Sequence, residues 1–208
     1  MSSRGHRTVF IVDDDQAVRD SLSFVLEAAG YEVRAFGSGR ELLERIDEAS
    51  AGCLLLDLRL AGMSGFDLKH QLADRGFRLP IIMITGHGDV DAAVQAFKCG
   101  MIDFLEKPFS NQMLMQRIEE AMQIDLTERE AAEQVSAIRV RYESLSPRER
   151  QVMEAVVEGK LNKQIAIDLG LSHKTIEVHR AHVMQKMSAS SLADLVRMAV
   201  LLEDQKTA

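Results

Sequence analysis

The chain lacks any apolar run approaching the ~20 residues that a membrane-spanning helix requires. Its first residues, Met1 to Thr8, carry neither the apolar core nor the cleavage pattern of a secretory leader. Together these absences predict no membrane association and a cytoplasmic location. Cysteine is scarce: Cys53 and Cys99 sit inside apolar stretches and form no CxxC pair, as suits a reducing compartment where disulfides are rare. Positive charge is also short. Lys and Arg number 25 against 32 Asp and Glu, a net charge of −7, which taken whole argues against nucleic acid. What remains is 208 residues, 46% hydrophobic and 27% charged, the profile of an ordinary globular protein of one or two domains.

Charge is unevenly spread. Residues 1–124 hold 13 Lys+Arg against 19 Asp+Glu, residues 125–143 hold 3 against 5, and residues 144–208 hold 9 against 8. Only the last segment escapes a net negative charge, so DNA binding is permitted there and not established by charge.

Over residues 1–124 short apolar strands alternate with amphipathic helices, the pattern of a parallel sheet covered on both faces. Strands are predicted at Val9–Val12, Glu32–Phe36, Cys53–Leu56, Ile81–Thr85 and Ile102–Leu105. Helices are predicted from Asp15 to Ala28, around Leu42, Leu43 and Ile46, over Gly65–Asp74, over Asp89–Cys99, and from Ser110 to about Gln123. This is an α/β (βα)5 doubly wound unit. Residues 125–143 are charged and helix-favouring, a helical linker with a sparse apolar seam at Ile118, Met122, Val135, Ile138 and Tyr142. That seam suits either a signalling helix paired with a second copy or a solvated spacer. From Ser144 there is no strand signal. Ser146-Pro147 with Glu149 starts a helix that ends at Gly159. Asn162 caps a short helix over Lys163–Leu169, Ser172 caps a longer one to Met187, and Ser191–Leu202 forms the last. Helix, short turn, helix over residues 162–187 is the layout of a DNA-reading unit, making residues 144–208 an all-α four-helix domain.

In a doubly wound sheet, ligands bind beyond the carboxyl ends of the strands. Those ends carry Asp13-Asp14-Asp15, Asp57, Thr85 and, after the fifth strand, Lys107. An Asp triplet alone is more often a solvated turn with a helix cap; here four strand ends are occupied by mutually useful groups. Converging carboxylates repel unless a cation lies among them, and Mg²⁺ suits a site that also handles phosphate. One carboxylate could then attack a phosphoryl group, with Thr85 donating a hydroxyl hydrogen bond and Lys107 a point charge.

Five motifs carry a resemblance: Ile11-Val12-Asp13-Asp14-Asp15, Leu55-Leu56-Asp57-Leu58-Arg59, Gly62-Met63-Ser64-Gly65, Ile84-Thr85-Gly86-His87-Gly88-Asp89 and Phe104-Leu105-Glu106-Lys107-Pro108-Phe109. In order and through the whole unit, they resemble the receiver domain of two-component response regulators. The resemblance implies that Asp57 takes a phosphoryl group from a sensor histidine kinase. It implies that Asp14 and Asp57 hold Mg²⁺ directly, Asp13 through water, and the Arg59 backbone carbonyl completes the set. Lys107-Pro108 is similar to the family's cis peptide. Phosphorylation would recruit Thr85 and Lys107 and open space for the ring of Phe104. Arg59 and His87, each two residues past a key position, are expected to tune the lifetime of the phosphoryl group. Ala61 and Met101 depart from the family, which usually has proline and a small residue there.

The tail resembles the LuxR/NarL/FixJ type of helix-turn-helix domain through Leu145-Ser146-Pro147-Arg148-Glu149, Gly159, Asn162-Lys163-Gln164-Ile165-Ala166, Leu171-Ser172, Thr175-Ile176-Glu177-Val178-His179-Arg180 and Met184-Gln185-Lys186-Met187. With the receiver motifs it points to the FixJ branch. Ser172–Met187 is expected to be the recognition helix, with Lys174, Thr175, Glu177, Val178, Arg180 and Ala181 on or near the groove side. Glutamate can accept from cytosine N4 and valine can touch a thymine methyl. Lys163, Lys174, Arg180 and Lys186 are expected to meet phosphates. His179 and His182 read as groove-side or packing residues before a metal pair, and Cys99 as a small packed helix residue before a reactive thiol.

The expected protein is a transcription factor, not an enzyme, that dimerises on phosphorylation through the helix of Asp89–Cys99, the strand of Ile102–Leu105 and the helix after Ser110. Its expected partners are the kinase, double-stranded promoter DNA, RNA polymerase and a second copy. A haloacid-dehalogenase-type phosphohydrolase would need a second Asp two residues after Asp57, where Arg59 stands. A phosphate-independent DNA-binding regulator is the other alternative.

Overall fold

A computed structural model describes residues 8–47, 50–86 and 103–204. His87, the helix expected over Asp89–Cys99 and Met101 lie outside the described residues. Five strands form one parallel sheet: β1 (Thr8–Val12), β2 (Glu32–Phe36), β3 (Gly52–Asp57), β6 (Ile81–Thr85) and β7 (Asp103–Glu106), in the order β2-β1-β3-β6-β7. β1 runs in register with both neighbours, Val12 facing Phe36 on one side and Leu56 on the other. The order reverses direction between β1 and β3, so the site mouth falls between their carboxyl ends.

Side-chain alternation along the strands divides the core in two. Phe10, Val12, Leu54, Leu56 and Met83 pack with Leu42, Leu43 and Leu68 on one face. Val9, Ile11, Leu55, Ile82 and Ile84 pack with Leu22, Leu26, Leu114 and Ile118 on the other. The first helix, α1 (Gln16–Ala28), is capped by Asp15, whose carboxylate accepts from the Ala17 amide. α2 (Gly39–Arg45) starts at Ser38, and α3 (Gly65–Asp74) at a reciprocal capping box between Ser64 and Asp67.

Sequence reasoning did not anticipate the small antiparallel pair β4 (Arg59–Leu60) and β5 (Met63–Ser64) directly after Asp57. Its strands are two residues long, too short for periodicity to register. The last strand is described over Asp103–Glu106 and ends one residue beyond the expected Leu105; Ile102, its expected first residue, lies outside the described residues.

The next helix, α4, is continuous from Asn111 to Glu143, where a helix to about Gln123 and a separate linker were expected. The chain divides into two compact units within it, after Glu128. The apolar seam is shared between the units' cores: Ile118 and Met122 belong to the first unit, Ile138 and Tyr142 to the second. Asp125 is buried and accepts a 2.9 Å hydrogen bond from the Gly52 amide, fixing this stretch of α4 to the start of β3.

The second unit also contains α5 (Pro147–Val157), α6 (Asn162–Leu169), α7 (His173–Met187) and α8 (Leu192–Asp204). Val152, Met153 and Val156 of α5, Ile165 of α6, Ile176, Val183 and Met187 of α7, and Leu195 and Met198 of α8 form its core. Asn162 is the first residue of α6 and not its cap. Leu161 takes that place, its amide donating to Gln164 Oε1 at 2.9 Å. No helix among the described residues is long and apolar enough to cross a membrane.

Candidate phosphoacceptor pocket and nucleic-acid interface

The pocket grows from the ends of β1 and β3 and the residue after β7. Asp13 leaves β1 almost wholly buried, 3% exposed, with its amide donating to the Phe36 carbonyl at 3.3 Å. One of its carboxylate oxygens accepts from the Asp15 amide at 2.9 Å and the other from Lys107 Nζ at 2.9 Å. Asp57, half-buried at the end of β3, accepts from the Arg59 amide at 2.9 Å and from the same Lys107 Nζ at 3.1 Å. One ammonium therefore joins two carboxylates from adjacent strands. Burial lifts the Asp57 carboxyl above the usual carboxylate range, with the nearby Asp13 charge adding to it; the Arg59 amide and Lys107 pull the other way without winning. Burial pulls the Lys107 ammonium downward, yet its two carboxylate partners outweigh this and hold it above the usual lysine range.

Thr85 closes β6 at 1% exposure, and its carbonyl accepts from the Lys107 amide at 2.7 Å, so Thr85 and Lys107 are neighbours through the backbone. Lys107-Pro108 is cis. Phe104 is half-buried against the core on the Phe10 and Met83 side of the sheet. Gly65 is needed here: a Cβ would lie 2.8 Å from the Asp57 carbonyl oxygen. Asp14 is exposed and turned aside, accepting from the Ala61 amide at 3.1 Å. Arg59 is exposed in β4. The fold thus brings Asp13, Asp57, Thr85 and Lys107 together, with Asp14 and Arg59 at the rim.

Arg19 was not anticipated. Its guanidinium donates to the Asp13 carbonyl at 2.6 Å, bracing the acidic turn from behind. Its place one turn into α1, six residues past Asp13, was the available clue.

The three carboxylates offer only hard oxygen donors, the chemistry that suits a divalent cation such as Mg²⁺. Among the described residues, no three His, Cys, Asp or Glu side chains are gathered closely enough to hold a metal by themselves. Cys53, inside β3, is buried, which pushes its thiol up to about 12 and leaves it protonated and inert; Cys99 lies outside the described residues.

On α7, Lys174, Glu177, Val178 and Ala181 form one exposed line at spacings of three and four, while Ile176, Val183 and Met187 face the core. Gln185 continues that exposed line and was missed, because a glutamine near a helix end carries no pattern of its own. Thr175 is half-buried, its hydroxyl 2.7 Å from that of Ser172. Arg180 donates to Asn162 Oδ1 at 3.0 Å and Lys186 to Glu149 Oε2 at 2.6 Å, so two of the four expected phosphate cations have partners inside the unit. Lys163 is exposed on α6.

Residues 9–119 match the response regulator receiver domain, and residues 143–199 match the bacterial regulatory proteins of the luxR family. The response regulator protein TmoT of Ectopseudomonas mendocina is 44% identical over 94% of this chain and 89% of its own. The transcriptional regulatory protein FixJ of Rhizobium meliloti is 46% identical over 93% of this chain and 95% of its own. Among solved structures, the response regulator StyR superimposes with a TM-score of 0.83 at 42% identity, covering 94% of this chain and 98% of that one. Full-length FixJ from B. japonicum gives 0.58 at 42% identity, covering 97% and 98%. A pocket in which one lysine bridges two strand-end aspartates, followed by a helix-turn-helix unit, agrees with those matches: the chain belongs to the two-component response regulators of the LuxR type, FixJ branch, with a receiver domain and a LuxR-type DNA-binding domain.

Proposed function

We propose that Asp57 is the phosphoacceptor of a cytoplasmic transcription factor driven by a sensor histidine kinase. The observation that carries this reading is the shared ammonium, with Lys107 Nζ 2.9 Å from Asp13 and 3.1 Å from Asp57. In the transfer, an Asp57 carboxylate oxygen forms a bond to phosphorus as the phosphorus–nitrogen bond of the kinase phosphohistidine breaks, and the imidazole leaves. Lys107 stays beside the new acyl phosphate and meets one of its oxygens in place of the lost carboxylate charge. The Thr85 hydroxyl donates to another oxygen, and Phe104 moves with Thr85, which reshapes the sheet edge. Asp14 and Asp57 would hold Mg²⁺ directly, with Asp13 through water and the Arg59 carbonyl beside it; bound there, the ion neutralises charge on the transferring group. Arg59 and His87 set how long the phosphoryl group survives.

The receiver spans residues 1–124, the linker 125–143 and the DNA-binding domain 144–208. Phosphorylation pairs two copies, and the dimer reads promoter DNA and engages RNA polymerase. The groove side presents Glu177, Val178 and Ala181 to bases, with Lys174 and Lys163 on phosphates and Thr175 and Arg180 beside them.

The test is mass in solution and binding to a random-sequence duplex library, with and without acetyl phosphate and Mg²⁺, for the wild type and Asp57→Asn. A phosphate-dependent dimer that selects a two-fold site, absent in Asp57→Asn, is the expected result. Identical behaviour of both proteins would overturn the reading.

A further inference from the structure

Glu149 does more than close a helix end. It is the third residue of α5, and the capping box accounts for one of its contacts: Oε2 accepts from the Ser146 amide at 2.8 Å. A capping carboxylate can make that bond while remaining in solvent. Glu149 is instead 4% exposed, and the same oxygen accepts from Lys186 Nζ at 2.6 Å. His182 Nδ1 lies 3.6 Å from the other oxygen. Both partners sit on α7, one turn apart, on the half of the recognition helix that leads away from its capped start. A nearly buried carboxylate that lost its cation would be unfavourably placed, so the folded unit favours the Glu149–Lys186 contact while Glu149 is ionised.

We infer that Glu149 and Lys186 are positioning residues for sequence reading, clamping α7 against α5, and that Lys186 acts inside the fold and not on a DNA phosphate. The inference rests on the DNA-binding reading above and refines which cations meet the backbone. The clamp fixes the roll of α7. With a helix radius of roughly 5 to 6 Å including side chains, a roll of about 20° moves a groove-side tip by roughly 2 Å. Hydrogen bonds to base edges do not survive that displacement, since their useful range spans about half an ångström. Contacts from long, flexible lysines to phosphates tolerate it, so losing the clamp removes discrimination before it removes attraction.

The experiment compares full-length wild type, Glu149→Gln, Lys186→Gln, Lys186→Arg and Lys174→Gln, phosphorylated with acetyl phosphate. Each is titrated with a duplex selected from a random library and with a scrambled duplex, across a salt series and well below the melting temperature. Glu149→Gln and Lys186→Gln are expected to bind the selected duplex roughly tenfold or more weakly, a loss of the size of one base contact. Their affinity for the scrambled duplex and their salt dependence should stay unchanged, and Lys186→Arg should regain most of the discrimination. Lys174→Gln should weaken both duplexes and lower the salt slope by about 0.9. Glu149 is buried away from any DNA, so a specificity loss in Glu149→Gln cannot come from a lost contact. A salt slope lowered by about 0.9 in Lys186→Gln would overturn the inference in favour of a phosphate contact. Wild-type discrimination in both variants, with only a lower melting temperature, would overturn it in favour of plain stability. If Glu149→Gln does not fold by circular dichroism, Lys186→Gln, whose side chain is 40% exposed, decides the matter. A wild type that selects no sequence removes the DNA-binding reading itself and the inference with it, an outcome recognisable before any variant is compared.

Discussion

Asp57 and Glu149 are both carboxylates drawn out of water, and they titrate in opposite directions because different groups replace the water. At Asp57 burial prevails over one amide and a lysine that is shared with Asp13. At Glu149 the undivided Lys186 and the Ser146 amide prevail, and its pKa falls from 4.5 to about 2. A depressed carboxylate contributes stability that is complete above its unfolded value and lost as pH falls through the folded one. The contribution of Glu149 is therefore full above about pH 5 and fades between about 4.5 and 2. Glu149→Gln is expected to be less stable than the wild type at neutral pH, with the gap narrowing on acidification across that window. Urea unfolding of both proteins at pH 7, 5, 4 and 3 measures it; a gap independent of pH would refute this account of the ion pair. At this scale much of the pocket was legible. Asp13, Asp57, Thr85 and Lys107 each stand at a strand end, and strand ends can be read from apolar runs. The partners of Lys186 and Arg180 were not legible, because a surface helix pattern says which residues face outward and nothing about which outward side chain folds back.

Among the elements, β3 carries the largest demands, since it joins Asp57 at one end to α4 at the other. Gly52 starts it with φ +132°, and a Cβ there would lie 1.8 Å from the Thr8 carbonyl oxygen on β1. Its amide, moreover, is the donor to Asp125. Gly52→Ala combines a backbone conformation suited to glycine with a clash against main chain, and is expected to cost roughly 2–5 kcal/mol of receiver stability. Denaturant unfolding would show this; a loss under about 1 kcal/mol would mean that β1 and β3 part more easily than a central parallel pair should. The alternation of strands and helices was readable because periods of 2 and 3.6 persist over whole elements. The β4–β5 pair was not, being only two residues a side. Residues 111–143 form one helix because neither Gly nor Pro interrupts them, yet their apolar positions serve two different cores. A seam read as one surface was two half-surfaces in sequence.

In the molecule as a whole, two sheet-face cores belong to the first unit and one helical core to the second. A ligand that binds only one folded unit raises the stability of that unit, by about 2.7 kcal/mol at a hundredfold excess over its Kd. Calorimetry with Mg²⁺ and beryllium fluoride, a mimic of the phosphoryl group, is expected to raise one transition and leave a second in place, with Asp57→Asn abolishing the shift. Both transitions moving together, or a single cooperative transition, would show that the two cores unfold as one.

By itself the sequence determined the fold class, the order of the two domains, the strand ends where Asp13, Asp57, Thr85 and Lys107 stand, and the outward-facing Lys174, Glu177, Val178 and Ala181 of α7. These are consequences of local periodicity, capping and turn residues, which act within a few residues of one another. Only the tertiary structure decided which charges pair. It placed one ammonium between Asp13 and Asp57, turned Asp14 toward the Ala61 amide, set Arg19 behind the acidic turn and buried Glu149 beneath Lys186. Those pairings join residues as far as 94 positions apart. Electrostatic partners depend on distance in space and on the water that packing removes, and neither is written in the spacing of residues along the chain.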